Sequence, residues 1–123
     1  MIMKFLCVVL VFITLAVGGN CQCAIQDIQI ARSRTGELVE NKPEWSVTIK
    51  NECSCTQLDL HLDCNGYQTV KLVDPSILSI SNDGQYCLVN NGQPIYAFGS
   101  ISFTYAWDTS FPFRPISSQI ACS

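Results

Sequence analysis

The sequence predicts an all-β protein: a single disulfide-stapled antiparallel β-sandwich of about seven strands. Three observations predict it. Apolar and polar residues alternate at a period of two, and no stretch sustains helical spacing. Residue pairs that tolerate positive φ punctuate the chain about every ten residues. Eight cysteines stand in 123 residues, a density typical of small exported domains that disulfides hold together.

The N-terminus comes first. Lys4 is followed by an uncharged run from Phe5 to Val17, then by Gly18, Gly19, Asn20 and Cys21. As a helix that run spans about 20 Å, short of the ~30 Å hydrocarbon core, so it reads as a signal peptide rather than a membrane anchor. Residues 1–21 are the expected leader, with cleavage between 18 and 21, and 22–123 the expected domain. Cleavage after Gly18 or Gly19 leaves seven cysteines, and cleavage after Cys21 leaves six. Parity favours six in an oxidising compartment. The mature chain is expected to be secreted to the extracellular space, with no membrane anchor.

The strands follow in order. Ile28 and Ile30 mark a weak strand over 27–32, and Thr35-Gly36 a turn. Trp45, Val47 and Ile49 alternate with Ser46, Thr48 and Lys50, giving a half-buried strand. Leu58, Leu60 and Leu62 are expected inward, with Asp59, His61 and Asp63 together on the other face. Asn65-Gly66 is the strongest hairpin signal, leading to an expected strand over 67–73 that Asp74-Pro75 ends. Asp83-Gly84 and Asn91-Gly92 bracket a strand at 85–89. Ile101, Phe103, Tyr105 and Trp107 share one face of a late strand. Phe111 to Pro115 carries two prolines and cannot lie in a central strand, and 116–121 forms the last.

The disulfide frame is expected from Cys23, Cys53, Cys55, Cys64, Cys87 and Cys122. Cys53 and Cys55 make a poor pair, because extended residues two apart project their Cβ atoms the same way. Twelve of the fifteen pairings of six cysteines remain open. The competing reading, zinc held by Cys53, Cys55, Cys64 and His61, lacks the second closely spaced cysteine pair of structural zinc sites.

Chemistry is sparse. The net charge of −3 and a pI near 4.8 give no basic footprint for nucleic acid. No P-loop, dinucleotide fingerprint or nucleophile elbow occurs. His61 between Asp59 and Asp63 reads as a solvated strand face more readily than as a metal or acid–base cluster. Asp74, Asp83 and Asp108 have no spacing that pairs two of them for glycoside hydrolysis. The expectation is therefore no enzyme and no cofactor. Asn-x-Ser/Thr is absent, and Asn51-Glu52-Cys53 is only a rare variant of that sequon. The proline-interrupted aromatic tail is the expected contact surface: Trp107, Phe111, Phe113 and Arg114 suit either a protein hot spot or a sugar-stacking platform.

The residue order resembles a known family. It runs through Cys23-x-x-x-Asp27-Ile28, Lys42-Pro43-Glu44-Trp45-Ser46-Val47, Asn51-x-Cys53-x-Cys55 and Leu60-x-Leu62-x-Cys64-x-Gly66. It continues through Val70-x-x-Val73-Asp74-Pro75, Cys87-Leu88-Val89-Asn90-x-Gly92-x-Pro94, Phe103-x-Tyr105-Ala106 and Cys122. Over residues 23–122 this is similar to the plant tapetum-determinant family of small secreted cysteine-rich proteins. The resemblance implies an apoplastic ligand of a leucine-rich-repeat receptor kinase ectodomain that controls cell differentiation in anther development. Only the six cysteines carry over residue by residue. The chain looks like a divergent paralogue, because founding members carry a longer segment before the first cysteine and a wider spacing than Cys53-Ser54-Cys55. The alternative from another class is a cell-wall polysaccharide-binding module.

Overall fold

The computed structural model describes residues 23–122, so the expected leader, with Cys7 and Cys21, lies outside the described residues. Its strands are β1 (Ile28–Val39), β2 (Lys42–Asn51), β3 (Thr56–Asp63), β4 (Leu78–Ile80), β5 (Tyr86–Val89), β6 (Ser100–Ala106) and β7 (Arg114–Ala121). They form a three-stranded sheet, β1-β2-β6, and a four-stranded sheet, β4-β5-β3-β7, all antiparallel. Short 3₁₀ turns at Ile25–Asp27 and Asn90–Gly92 are the helical pieces among the described residues.

The alternation places the core where the sequence puts it. Val47 and Ile49 of β2 face Phe103 and Ile101 of β6 in register, and Leu60 and Leu62 close the layer from β3. β7 is an edge strand, which tolerates the missing N–H of Pro115.

Four local expectations change. The β1–β2 turn is Glu40-Asn41, both at positive φ (49° and 65°), whereas Gly36 (φ 92°) sits at a register shift within β1. Asp59 adopts φ 50°, and the β3–β7 register shifts between Leu58 and His61. This bulge places Leu58 opposite Gln119 and half-buried, while Gln57 goes to the core. Asn65-Gly66 makes a turn, with Tyr67 N–H donating to Cys64 O at 2.9 Å, but no hairpin follows. Residues 67–73 form a crossing segment: the Thr69 hydroxyl accepts from the Lys71 and Ala106 amides at 3.1 and 3.0 Å, fixing a side-chain turn in place of a ladder. No strand forms over 67–73, and the short β4 at Leu78–Ile80 is one the sequence reading did not expect.

Lys71 clamps that crossing segment to the three-stranded sheet, donating to the Glu44 carboxylate and, at 2.6 Å, to Thr104 Oγ1; Thr35 Oγ1 also donates to Glu44 at 2.7 Å. The bond from Lys71, then that from Thr35, holds the Glu44 carboxyl below its ordinary value. A folded pKa below the unfolded one gives stability that is present above the ordinary glutamate value and is lost as pH falls from there through the lower folded value. The Glu44→Gln variant is therefore expected to melt lower than wild type at neutral pH, with the difference shrinking on acidification. Melting curves from neutral to acid pH check this, and a pH-independent difference would contradict it.

Candidate functional site

All six predicted cysteines are paired: Cys23–Cys53, Cys55–Cys122 and Cys64–Cys87, and no described cysteine is free. Cys53 and Cys55 go to separate partners, as their shared direction requires. The sulfurs of the zinc alternative are thereby consumed in disulfides. Two bridges gather at one end around a buried polar seam that the sequence reading did not single out. There Asn51 Nδ2 donates to the carbonyls of Cys55 (2.8 Å) and Ile95 (3.0 Å), and Cys53 N–H donates to Asn51 Oδ1. Gln57 Nε2 donates to Ala24 O, and its Oε1 accepts from Ser118 Oγ at 2.6 Å. Asn51 is wholly buried, so its amide serves the seam and is no glycan acceptor. The signal was available for Asn51, which continues the inward parity of Trp45, Val47 and Ile49; Gln57 stands on the opposite parity to Leu58, Leu60 and Leu62 and turns inward only through the bulge at Asp59.

The acidic strand face does not assemble. His61 Nδ1 bonds the Asp59 carbonyl at 2.9 Å. The Asp59 carboxylate lies against Gly92, where an added Cβ would stand 2.8 Å from Oδ1 and φ is 78°. Asp63 accepts from Arg114 at 3.3 Å and from the Asn65 amide at 3.1 Å.

The aromatic tail divides. Phe113 is 0% exposed and packs edge-on against Tyr67 (5.3 Å between centroids), Tyr105 (5.5 Å) and Phe103 (5.6 Å). Phe111 is half-buried against Tyr67 and Tyr105. Trp107 is half-buried, with Lys42 Nζ 5.0 Å from its ring centre. Only Arg114 projects freely, its side chain 77% exposed beside Asp63. The loop chain is drawn inward because Phe111 N–H donates to the buried Tyr105 hydroxyl at 2.8 Å and Arg32 donates to Phe111 O at 3.1 Å. Phe113 is thus a core residue and is removed from the expected contact set. That takes one ring out of the aromatic tail on which the polysaccharide alternative rested, while Trp107 and Phe111 stay partly exposed.

Two tyrosines at the centre of this cluster predict opposite responses. The Tyr105 hydroxyl satisfies a backbone donor. The Tyr67 hydroxyl is buried with no hydrogen-bond partner among the described residues, and burial pushes its phenol up to about 12. Thr69 on the same segment is already engaged with Lys71 and Ala106. Tyr105→Phe is expected to cost about 1–3 kcal/mol by orphaning the Phe111 amide, whereas Tyr67→Phe is neutral or stabilising. Denaturant melts of the two variants separate the cases, and equal losses would contradict the assignment.

Further exposed surfaces lie on both sheets. On the outer face of the four-stranded sheet, His61, Ser81, Tyr86, Ile116 and Ser117 line a shallow groove of 420 Å³. At the hairpin end of the three-stranded sheet, Lys42 pairs with Asp108 at 2.8 Å, Trp45 Nε1 donates to Trp107 O at 3.2 Å, and the Arg34 guanidinium lies 5.7 Å over the Trp45 ring. No helix among the described residues is long and apolar enough to cross a membrane.

Comparison with known proteins agrees with the residue order. The chain is 35% identical over 92 residues to TPD1 protein homolog 1 of Arabidopsis thaliana, covering 73% of this chain and 51% of that protein. It is 30% identical over 118 residues to TPD1 protein homolog 1A of Oryza sativa subsp. japonica, covering 89% of this chain and 50% of that protein. The chain thus spans about half the length of these relatives. An uncharacterized Arabidopsis thaliana protein is 29% identical over 115 residues, covering 92% of this chain and 90% of its own length. No solved structure matches. The family model described as "Tapetum determinant 1, C-terminal" matches residues 19–123, and the chain belongs to that family.

Proposed function

We propose that this is a secreted signalling protein of plant reproductive development, acting from the apoplast as the ligand of a leucine-rich-repeat receptor kinase. One observation carries the reading: the tapetum-determinant match extends over the whole disulfide-framed sandwich, residues 19–123. The leader sequence at 1–21 and the three disulfides support export, since such bridges persist in oxidising compartments. A cross-linked sandwich loses little conformational freedom on docking, which suits a ligand that must find a receptor at low concentration. The reading assigns no catalytic residues: the sequence's one histidine, His61, is tied to a backbone carbonyl.

Contacts on the ligand are proposed at Trp107, Phe111 and Arg114, the members of the expected set that keep solvent exposure. The test is capture of the oxidised, secreted protein by two panels, leucine-rich-repeat ectodomains and insoluble wall polysaccharides. Saturable binding to one ectodomain is the expected result. Binding to a glycan alone would overturn the ligand reading.

A further inference from the structure

β1 is an edge strand of 12 residues, about twice the usual length, and the stretch from Ala31 to Leu38 is exposed throughout. Its one partner strand is β2. Such an edge offers a row of N–H and C=O groups to any extended chain that meets it. The side chains along it narrow the choice of chain. Of the cationic side chains among the described residues, Lys42, Lys50, Lys71 and Arg114 each meet a carboxylate. Arg32 and Arg34 do not: Arg32 donates to neutral oxygens of Phe111 and Ser110, and Arg34 lies over Trp45. Among the described residues, the two cations that meet no carboxylate therefore stand two residues apart on one face of the longest edge strand.

From this placement we infer that β1 is a docking edge for an extended, acidic segment of a partner protein, which adds as a fourth strand and sets Asp or Glu side chains opposite Arg32 and Arg34. Alternate residues of a strand lie about 6.5–7 Å apart on one face, the same repeat in both chains, so two opposite-charge pairs form in a single register. A second copy of this chain is disfavoured on the same edge. Antiparallel self-pairing about Ser33 would set Arg32 against the other copy's Arg34, and like charges directly opposite repel. The inference rests on the reading of this protein as a ligand of another protein, and it places the main electrostatic contact on β1 rather than on the aromatic tail.

The probe is a fluorescent peptide of alternating glutamate and valine, with a glutamine–valine peptide as control and polygalacturonate as a non-protein polyanion. Wild-type oxidised protein is expected to bind the glutamate peptide, more weakly as salt rises. Arg32→Gln/Arg34→Gln is expected to weaken that binding about tenfold, while Arg32→Lys/Arg34→Lys retains most of it and Lys50→Gln is unchanged. An unchanged melting temperature of the variants excludes misfolding as the cause. Equal binding by wild type and the glutamine variant, or equal binding of both peptides, would overturn the inference. So would arginine-dependent binding of polygalacturonate without binding of the peptide. If wild type and the glutamine variant bind one receptor ectodomain equally, β1 is not the edge, though the ligand reading stands. Arginine-dependent peptide binding with no ectodomain captured leaves the edge standing and overturns the receptor assignment.

Discussion

Phe113→Ala is expected to lower stability by about 3–5 kcal/mol and to cut the secreted yield sharply. The ring is wholly buried and meets three other rings within 5.3–5.6 Å, so truncation opens a cavity lined by Phe103 and Tyr105 of β6 and by Tyr67 of the crossing segment. It also loosens the point at which the loop after β6 enters β7, where Phe113 holds φ 49° between Pro112 and Arg114. The neighbour supplies the control. Arg114 is mostly exposed and its pair with Asp63 spans 3.3 Å, so Arg114→Ala should change stability by no more than about 0.5 kcal/mol. Denaturant melts of both variants check the contrast. A Phe113→Ala protein that melts like wild type would return the tail to the surface.

Removing the Cys64–Cys87 bridge should have a comparable effect, about 3 kcal/mol or more. The bridge joins residues 23 apart in sequence, which constrains the unfolded chain, and both sulfurs lie in the core. A double change to alanine adds a void to the lost constraint; the single Cys64→Ser adds a buried hydroxyl and leaves a free thiol on Cys87. The double variant is therefore the cleaner measurement, read by its melting temperature and by thiol titration. Normal secretion and an unshifted melt would show that β3 and β5 hold without the bridge.

The strong alternations were legible because each lies on one flat, half-buried strand. Val47 and Ile49 on β2, and Phe103 and Tyr105 on β6, fall into register as the period-two pattern requires. The reading failed where the backbone leaves that period. Asp59 takes a left-handed conformation, which short polar side chains tolerate, and one bulge was enough to shift Leu58 out of the core and Gln57 into it. The Glu40-Asn41 turn lacks a glycine and so gave a weak signal. Residues 67–73 alternate plausibly, but Thr69 takes two backbone amides and Tyr67 supplies the core from a loop. In the tail, prolines correctly excluded a central strand, yet a prolyl loop can still bury a phenylalanine when a tyrosine hydroxyl holds its backbone. The two arginines of β1 carried no motif. Their meaning depends on sheet order, which puts β1 at an edge, and on the absence of a carboxylate partner across the strand.

Receptor activation by the purified protein is the most direct test of a signalling role. Cells expressing each receptor kinase of the leucine-rich-repeat panel are treated with the oxidised mature protein, and receptor autophosphorylation is followed against dose. The expected result is a saturable rise on one receptor, abolished when the protein is reduced and alkylated and diminished for Arg32→Gln/Arg34→Gln. Binding without phosphorylation at any dose, or a response that survives reduction of the disulfides, would contradict it.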